Sequence, residues 1–103
     1  MDLQAAAERL GLEKEEYLEI VELFIETCSS EIEELEKALA AGDKATVERL
    51  THSLKGSSGN IGIMNFSEIA RKMEVNVTGG LLEGMEKMVA ELKTILNDLK
   101  KEV

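Results

Sequence analysis

The one histidine of the chain, His52, opens the run His52-Ser53-Leu54-Lys55-Gly56-Ser57-Ser58-Gly59-Asn60-Ile61-Gly62, which places a nucleophile beside a cation and a set of small residues. Imidazole has a reference pKa of about 6.5, so most of it is neutral at pH 7 and one ring nitrogen keeps a free lone pair. Such a ring needs no separate base to attack an electrophile. Whether it can do so depends on where it points. Val47, Leu50, Leu54 and Ile61 recur at intervals of three, four and seven, which marks one buried stripe along a helix. His52 is two residues past Leu50 and two before Leu54. At about 100° per residue this puts it nearly opposite the stripe, facing water.

The same outer face carries Glu48, Lys55, Gly56 and Gly59, respectively four before and three, four and seven after the histidine. Glycine inside a helix costs roughly 0.8–1 kcal/mol against alanine. Gly56, one turn beyond an exposed imidazole, therefore predicts clearance for an approaching macromolecule. Gly59 through Gly62 suit a helix end equally well. The Lys55 ammonium disfavours a protonated ring and favours one that carries an anionic phosphoryl group. Unit charges about 4 Å apart attract by roughly 1 kcal/mol in water and about 4 near a protein surface, and exposure pushes the value to the low end. Lys55 is thus expected to assist rather than decide. A carboxylate accepting from the other ring nitrogen would fix the tautomer, and Glu48 or a carboxylate of the following helix could serve.

The chain has no proline, 3% aromatic residues and eight glycines. Its abundance of Leu, Glu, Lys, Ala and Met, without alternating β-branched runs, predicts an all-α fold. Glycines and caps divide it into helices over about Asp2–Leu10, Lys14–Ala41, Asp43–Asn60, a fourth opened by a capping box at Asn65-Phe66-Ser67-Glu68 and ended before Thr78, and a last one carrying Leu81, Met85, Met88, Leu92, Ile95 and Leu99 to about Lys100. Short connections make an up-and-down antiparallel four-helix bundle with a short extra N-terminal helix, as one domain over 1–103. Tyr17, Val21, Phe24, Cys28, Ile32, Leu35 and Leu39 supply the core stripe of the second helix, and Phe66, Ile69, Ala70, Met73 and Val77 that of the fourth. The methionines Met73, Met85 and Met88 read as core filler and Cys28 as a buried, inert thiol.

Twelve basic against twenty-one acidic residues leave a net charge of -9, which repels nucleic acid. One cysteine makes no internal disulfide, and the start lacks a signal peptide, so a cytoplasmic, soluble protein is expected. No apolar run approaches the ~18 residues of a membrane span. The Met1 start and the complete bundle favour a chain that stands alone. Lys55-Gly56-Ser57-Ser58-Gly59 is not a phosphate-binding loop, because its lysine precedes the glycines inside a helix. Asn76-Val77-Thr78 fits a glycosylation pattern that has no secretory context.

The eleven-residue run from His52 to Gly62 closely resembles the signature of the histidine phosphotransfer domains of multistep phosphorelays, and the bundle pattern extends the likeness over nearly the whole chain. The resemblance implies that His52 accepts a phosphoryl group from an aspartate of one receiver domain and gives it to another. It makes Lys55 the lysine beside the phosphoryl group and Gly56 the small residue that lets the receiver close over the ring. Ser57 and Ser58 become the small polar pair packed on a neighbouring helix, with Gly59 supporting them. Glu74 is at the spacing of a Gln or Glu that bonds the non-phosphorylated ring nitrogen. The family implies no cofactor or metal in this chain, with magnesium held by the receiver, and a carrier rather than an enzyme. Partners would be receiver domains or a hybrid histidine kinase, met by a monomer. The phosphoacceptor domain of chemotaxis histidine kinases is a less similar relative, and a non-catalytic helical adaptor is the alternative from another class.

Overall fold

The computed structural model describes residues 2–103, so Met1 lies outside it. Five helices follow one another: α1 (Leu3–Arg9), α2 (Lys14–Ala41), α3 (Lys44–Asn60), α4 (Met64–Thr78) and α5 (Met85–Lys100). No strand occurs among the described residues. At about 1.5 Å per residue, the 28 residues of α2 span about 42 Å, which matches the 42 Å long dimension of the molecule. The backbones approach closely along α2–α3, α3–α4, α4–α5 and α5–α2, whereas the diagonal pairs meet only through side chains in the core. The four long helices therefore form a square up-and-down bundle, and α1 packs on α2 alone among the helices.

Local chemistry explains the breaks. The Asp2 carboxylate accepts from Ala5 N at 3.1 Å and opens α1; the Asp43 carboxylate accepts from Thr46 N at 3.2 Å and opens α3. Gly62 has a φ of 80°, a left-handed conformation that side chains resist. That turn lets Ile63 N bond Ser58 O at 3.0 Å and Gly62 N bond Gly59 O at 3.2 Å, which satisfies two carbonyls at the end of α3. The same pair of bonds closes α1, α2 and α4 at Gly11, Gly42 and Gly80.

Two expected starts differ. The run Asn65-Phe66-Ser67-Glu68 is not a capping box. The helix α4 begins at Met64 straight after the buried Ile63, which anchors the turn, and the Ser67 hydroxyl is used elsewhere. Leu81 does not belong to the last helix. It is 58% exposed in the turn, because Gly84, at a φ of 78°, resets the chain before Met85. The buried stripe of α5 is accordingly Met85, Val89, Leu92, Leu96 and Leu99, with Met88 and Ile95 only half-buried beside it.

The core otherwise follows the stripes. Tyr17, Val21, Phe24, Cys28, Ile32 and Leu35 of α2 meet Phe66, Ala70, Met73 and Val77 of α4 and the Val47, Leu50 and Leu54 of α3. Leu39, Ile61 and Ile69 are half-buried at its margin. Phe24 and Phe66 meet edge to face, with ring centres 5.2 Å apart, a contact worth about 0.5–1.5 kcal/mol beyond the area it buries. Met73 and Met85 are wholly buried filler, as is the Cys28 thiol.

Candidate functional site

The site is built on α3, and α3 is held from both sides. On the α2 side the Tyr17 hydroxyl donates to Ile61 O at 2.6 Å and ties down the C-terminal end of the helix. On the α4 side the helices meet closely because small residues line the seam. Ser58 is fully buried, and its hydroxyl donates to Leu54 O at 2.7 Å within its own helix, so it occupies little space and leaves no polar atom orphaned. A Cβ on Gly59 would lie 3.4 Å from Ser67 Oγ, and that hydroxyl donates across the seam to Lys55 O at 3.1 Å. Ser67 and Glu74 are two turns apart on α4 and so share a face. The clamp at Ser67 therefore sets the depth at which Glu74 meets α3.

His52 faces outward, with 70% of its side chain exposed. Its Nδ1 lies 2.7 Å from Glu74 Oε2, and Lys55 Nζ lies 2.6 Å from Glu74 Oε1. One carboxylate thus bridges the imidazole and the ammonium. The Lys55 hydrogen bond, and after it the His52 bond and the two positive charges, hold the Glu74 carboxyl below the ordinary glutamate range, against the upward push of its partial burial. Glu74 is therefore ionised at pH 7 and can only accept. In the neutral ring the proton must sit on Nδ1, and Nε2 carries the lone pair. Nε2 has no hydrogen-bond partner among the described residues.

The residues singled out in the sequence fall into three groups. His52, Lys55 and Glu74 come together as one hydrogen-bonded set, and Glu48, also considered for orienting the ring, stays exposed on the α3 face and lines the shallow depression beside His52 with Ala45, Arg49 and Glu74. Gly56 is exposed, and nothing lies within 4 Å of where its Cβ would be. Ser57 is half-buried toward α2, its hydroxyl donating to Ser53 O at 3.0 Å, while Ser58 and Gly59 serve the α4 seam. Lys55 differs from the sequence expectation in one respect: its ammonium is committed to Glu74 rather than left beside the outer ring nitrogen. Sequence reasoning passed over Arg49 and the bridging role of Ser67. The spacing of Ala45, Arg49, His52 and Gly56 by four, three and four was the available signal for Arg49; no sequence signal marked Ser67 as a clamp.

Among the described residues no group of three or more His, Cys, Asp or Glu side chains is gathered as a metal would need, and no helix is long and apolar enough to cross a membrane. A search of the curated proteins and of the solved structures gave no match. A scan of protein families matches residues 19–102 to the Hpt domain. That span takes in nearly all of the four-helix bundle together with His52, Lys55 and Glu74, and the chain belongs to the Hpt domain family, the histidine phosphotransfer domains of phosphorelay signalling.

Proposed function

We propose that His52 is the phosphoacceptor of a phosphorelay intermediate, taking a phosphoryl group from the aspartyl phosphate of one receiver domain and passing it to another. The observation that carries this reading is the imidazole itself: an exposed ring whose Nδ1 is fixed by Glu74 and whose Nε2 is open. In the forward step the Nε2 lone pair attacks phosphorus in line, the N–P bond forms, and the P–O bond to the aspartate breaks with both electrons leaving on the carboxylate. The Nδ1 proton stays where it is. The ring acquires a positive charge as it bonds to phosphorus, and the Glu74 carboxylate at 2.7 Å stabilises that charge. Return of the phosphoryl group to a second receiver reverses each of these changes.

Gly56 supplies the clearance for the receiver to reach Nε2, and Lys55 holds the carboxylate that orients the ring. Magnesium enters with the receiver, whose acidic pocket holds it. The chain acts as one unit over residues 1–103, a carrier consumed and regenerated in each cycle and not an enzyme on its own, working as a cytoplasmic monomer. The test is to mix the protein with phosphorylated receiver domains and look for an acid-labile, alkali-stable label. Transfer to the wild type and none to His52→Gln is the expected result. A wild type that no receiver labels points instead to a helical adaptor.

A further inference from the structure

The outermost line of α3 is Ala45, Arg49, His52 and Gly56, all exposed and spaced by four, three and four residues. Ala45 and Gly56 are low relief at its two ends. Arg49 and His52 are the long side chains between them, about 60° apart around the helix and one turn apart along it. A surface laid along α3 meets these two together. Both also line the shallow depression beside Glu48 and Glu74.

The charges around the line are unequal. Over its 28 residues α2 carries nine carboxylates against two lysines, whereas α3 carries Lys44, Arg49 and Lys55 against Glu48 alone. Lys55 is committed to Glu74 at 2.6 Å and only a third of its side chain is exposed. Arg49 is 65% exposed, and its ion pair, to Glu34 of α2, is 3.7 Å long. It is the one cation on the line from Ala45 to Gly56, and it is loosely held. Its guanidinium leans toward α2 while the His52 ring is tied to α4, so Arg49 flanks the reacting nitrogen rather than pointing at it.

We propose that Arg49 is a positioning residue that draws an acidic side chain on the rim of the receiver onto α3, steering the aspartyl phosphate toward His52 in competition with Glu34. This rests on His52 as the phosphoacceptor. A charge at an interface rim acts on the encounter rate and its salt dependence, and the chemical step is left to His52 and Glu74.

The probe is a magnesium-loaded receiver domain, phosphorylated with acetyl phosphate, that labels the wild-type chain. Transfer rates are read against receiver concentration at low and high salt. Arg49→Gln should lower the second-order rate constant about three- to tenfold at low salt, leave the saturating rate unchanged, and lose its deficit as salt screens the charge. Arg49→Lys should recover most of the rate, and Glu34→Gln should exceed the wild type. An unchanged second-order constant in Arg49→Gln, or a fall in the saturating rate instead, overturns the steering role while leaving His52 as acceptor. A wild type that takes no label from any receiver overturns the underlying reading and this one with it.

Discussion

Glu74 Oε2 stands 2.7 Å from His52 Nδ1, across the seam between two helices. The distance fixes a tautomer, and it does so with a carboxylate whose second oxygen is already occupied by Lys55. Substitution separates these two tasks. Glu74→Gln keeps an acceptor for Nδ1–H and loses the ion pair; Glu74→Ala loses both. A charge-assisted hydrogen bond is worth about 1.5–3 kcal/mol, and exposure of the ring places this one at the low end. Transfer to His52 should fall about tenfold in Glu74→Ala and less in Glu74→Gln. Nitrogen NMR of the ring should show the proton on Nδ1 in the wild type and a mixture of tautomers in Glu74→Ala.

The Lys55 contact gives Glu74 its acidity, so Lys55→Ala should move the Glu74 titration midpoint up toward the ordinary glutamate value of 4.5. The sign of the pH effect follows. A carboxyl held low in the folded state stabilises the fold above its unfolded value, and that contribution is lost as pH falls through the lowered one. Wild type and Glu74→Gln should differ in urea midpoint above about pH 5 and converge in strong acid. A difference that persists in acid would show that the carboxylate charge is not what separates them.

Gly56 gives stability and transfer opposite signs. Nothing lies within 4 Å of its absent Cβ, and its backbone is ordinary helix. Gly56→Ala should stabilise the bundle by up to about 1 kcal/mol and raise the melting temperature, by about 4–8 °C for the full ~1 kcal/mol and proportionally less below it. Gly56→Gln should also fold, yet lose transfer by more than tenfold because its side chain fills the approach to the ring. Calorimetry and transfer on the same two variants check both halves.

Cys28 should be silent. Burial, and then the neighbouring Glu31 charge, push its thiol up to about 12, and the Ser57 hydroxyl only partly opposes them. Iodoacetamide at pH 8 should leave the native chain unmodified, and alkylation should rise along the urea unfolding curve. Modification of the folded protein would mean that the α2–α3 seam opens locally.

How much was legible in the sequence differed from residue to residue. The outward direction of His52 followed from the periodicity of Val47, Leu50 and Leu54, because a helix of fixed pitch leaves no other place for it. The bundle followed from stripes and glycines in the same way. Starts of helices were harder. Asn65-Phe66-Ser67-Glu68 has the letters of a cap, but a buried Ile63 and a left-handed Gly62 had already turned the chain. Leu81 continues the spacing of the last stripe and lies outside the helix, since spacing says nothing about where Gly84 interrupts it. The Lys55–Glu74 bond depends on how two helices are docked, which no single-helix pattern encodes.

Tyr17 has one more consequence. The chain contains one tyrosine and no tryptophan, so its emission, when excited at wavelengths that phenylalanine does not absorb, arises from a single ring, and the hydroxyl of that ring grips the carbonyl at the foot of α3. The protein thereby carries its own optical gauge, placed at the joint between the reactive helix and its longest neighbour, and intensity changes during a relay cycle can be followed without attaching a dye.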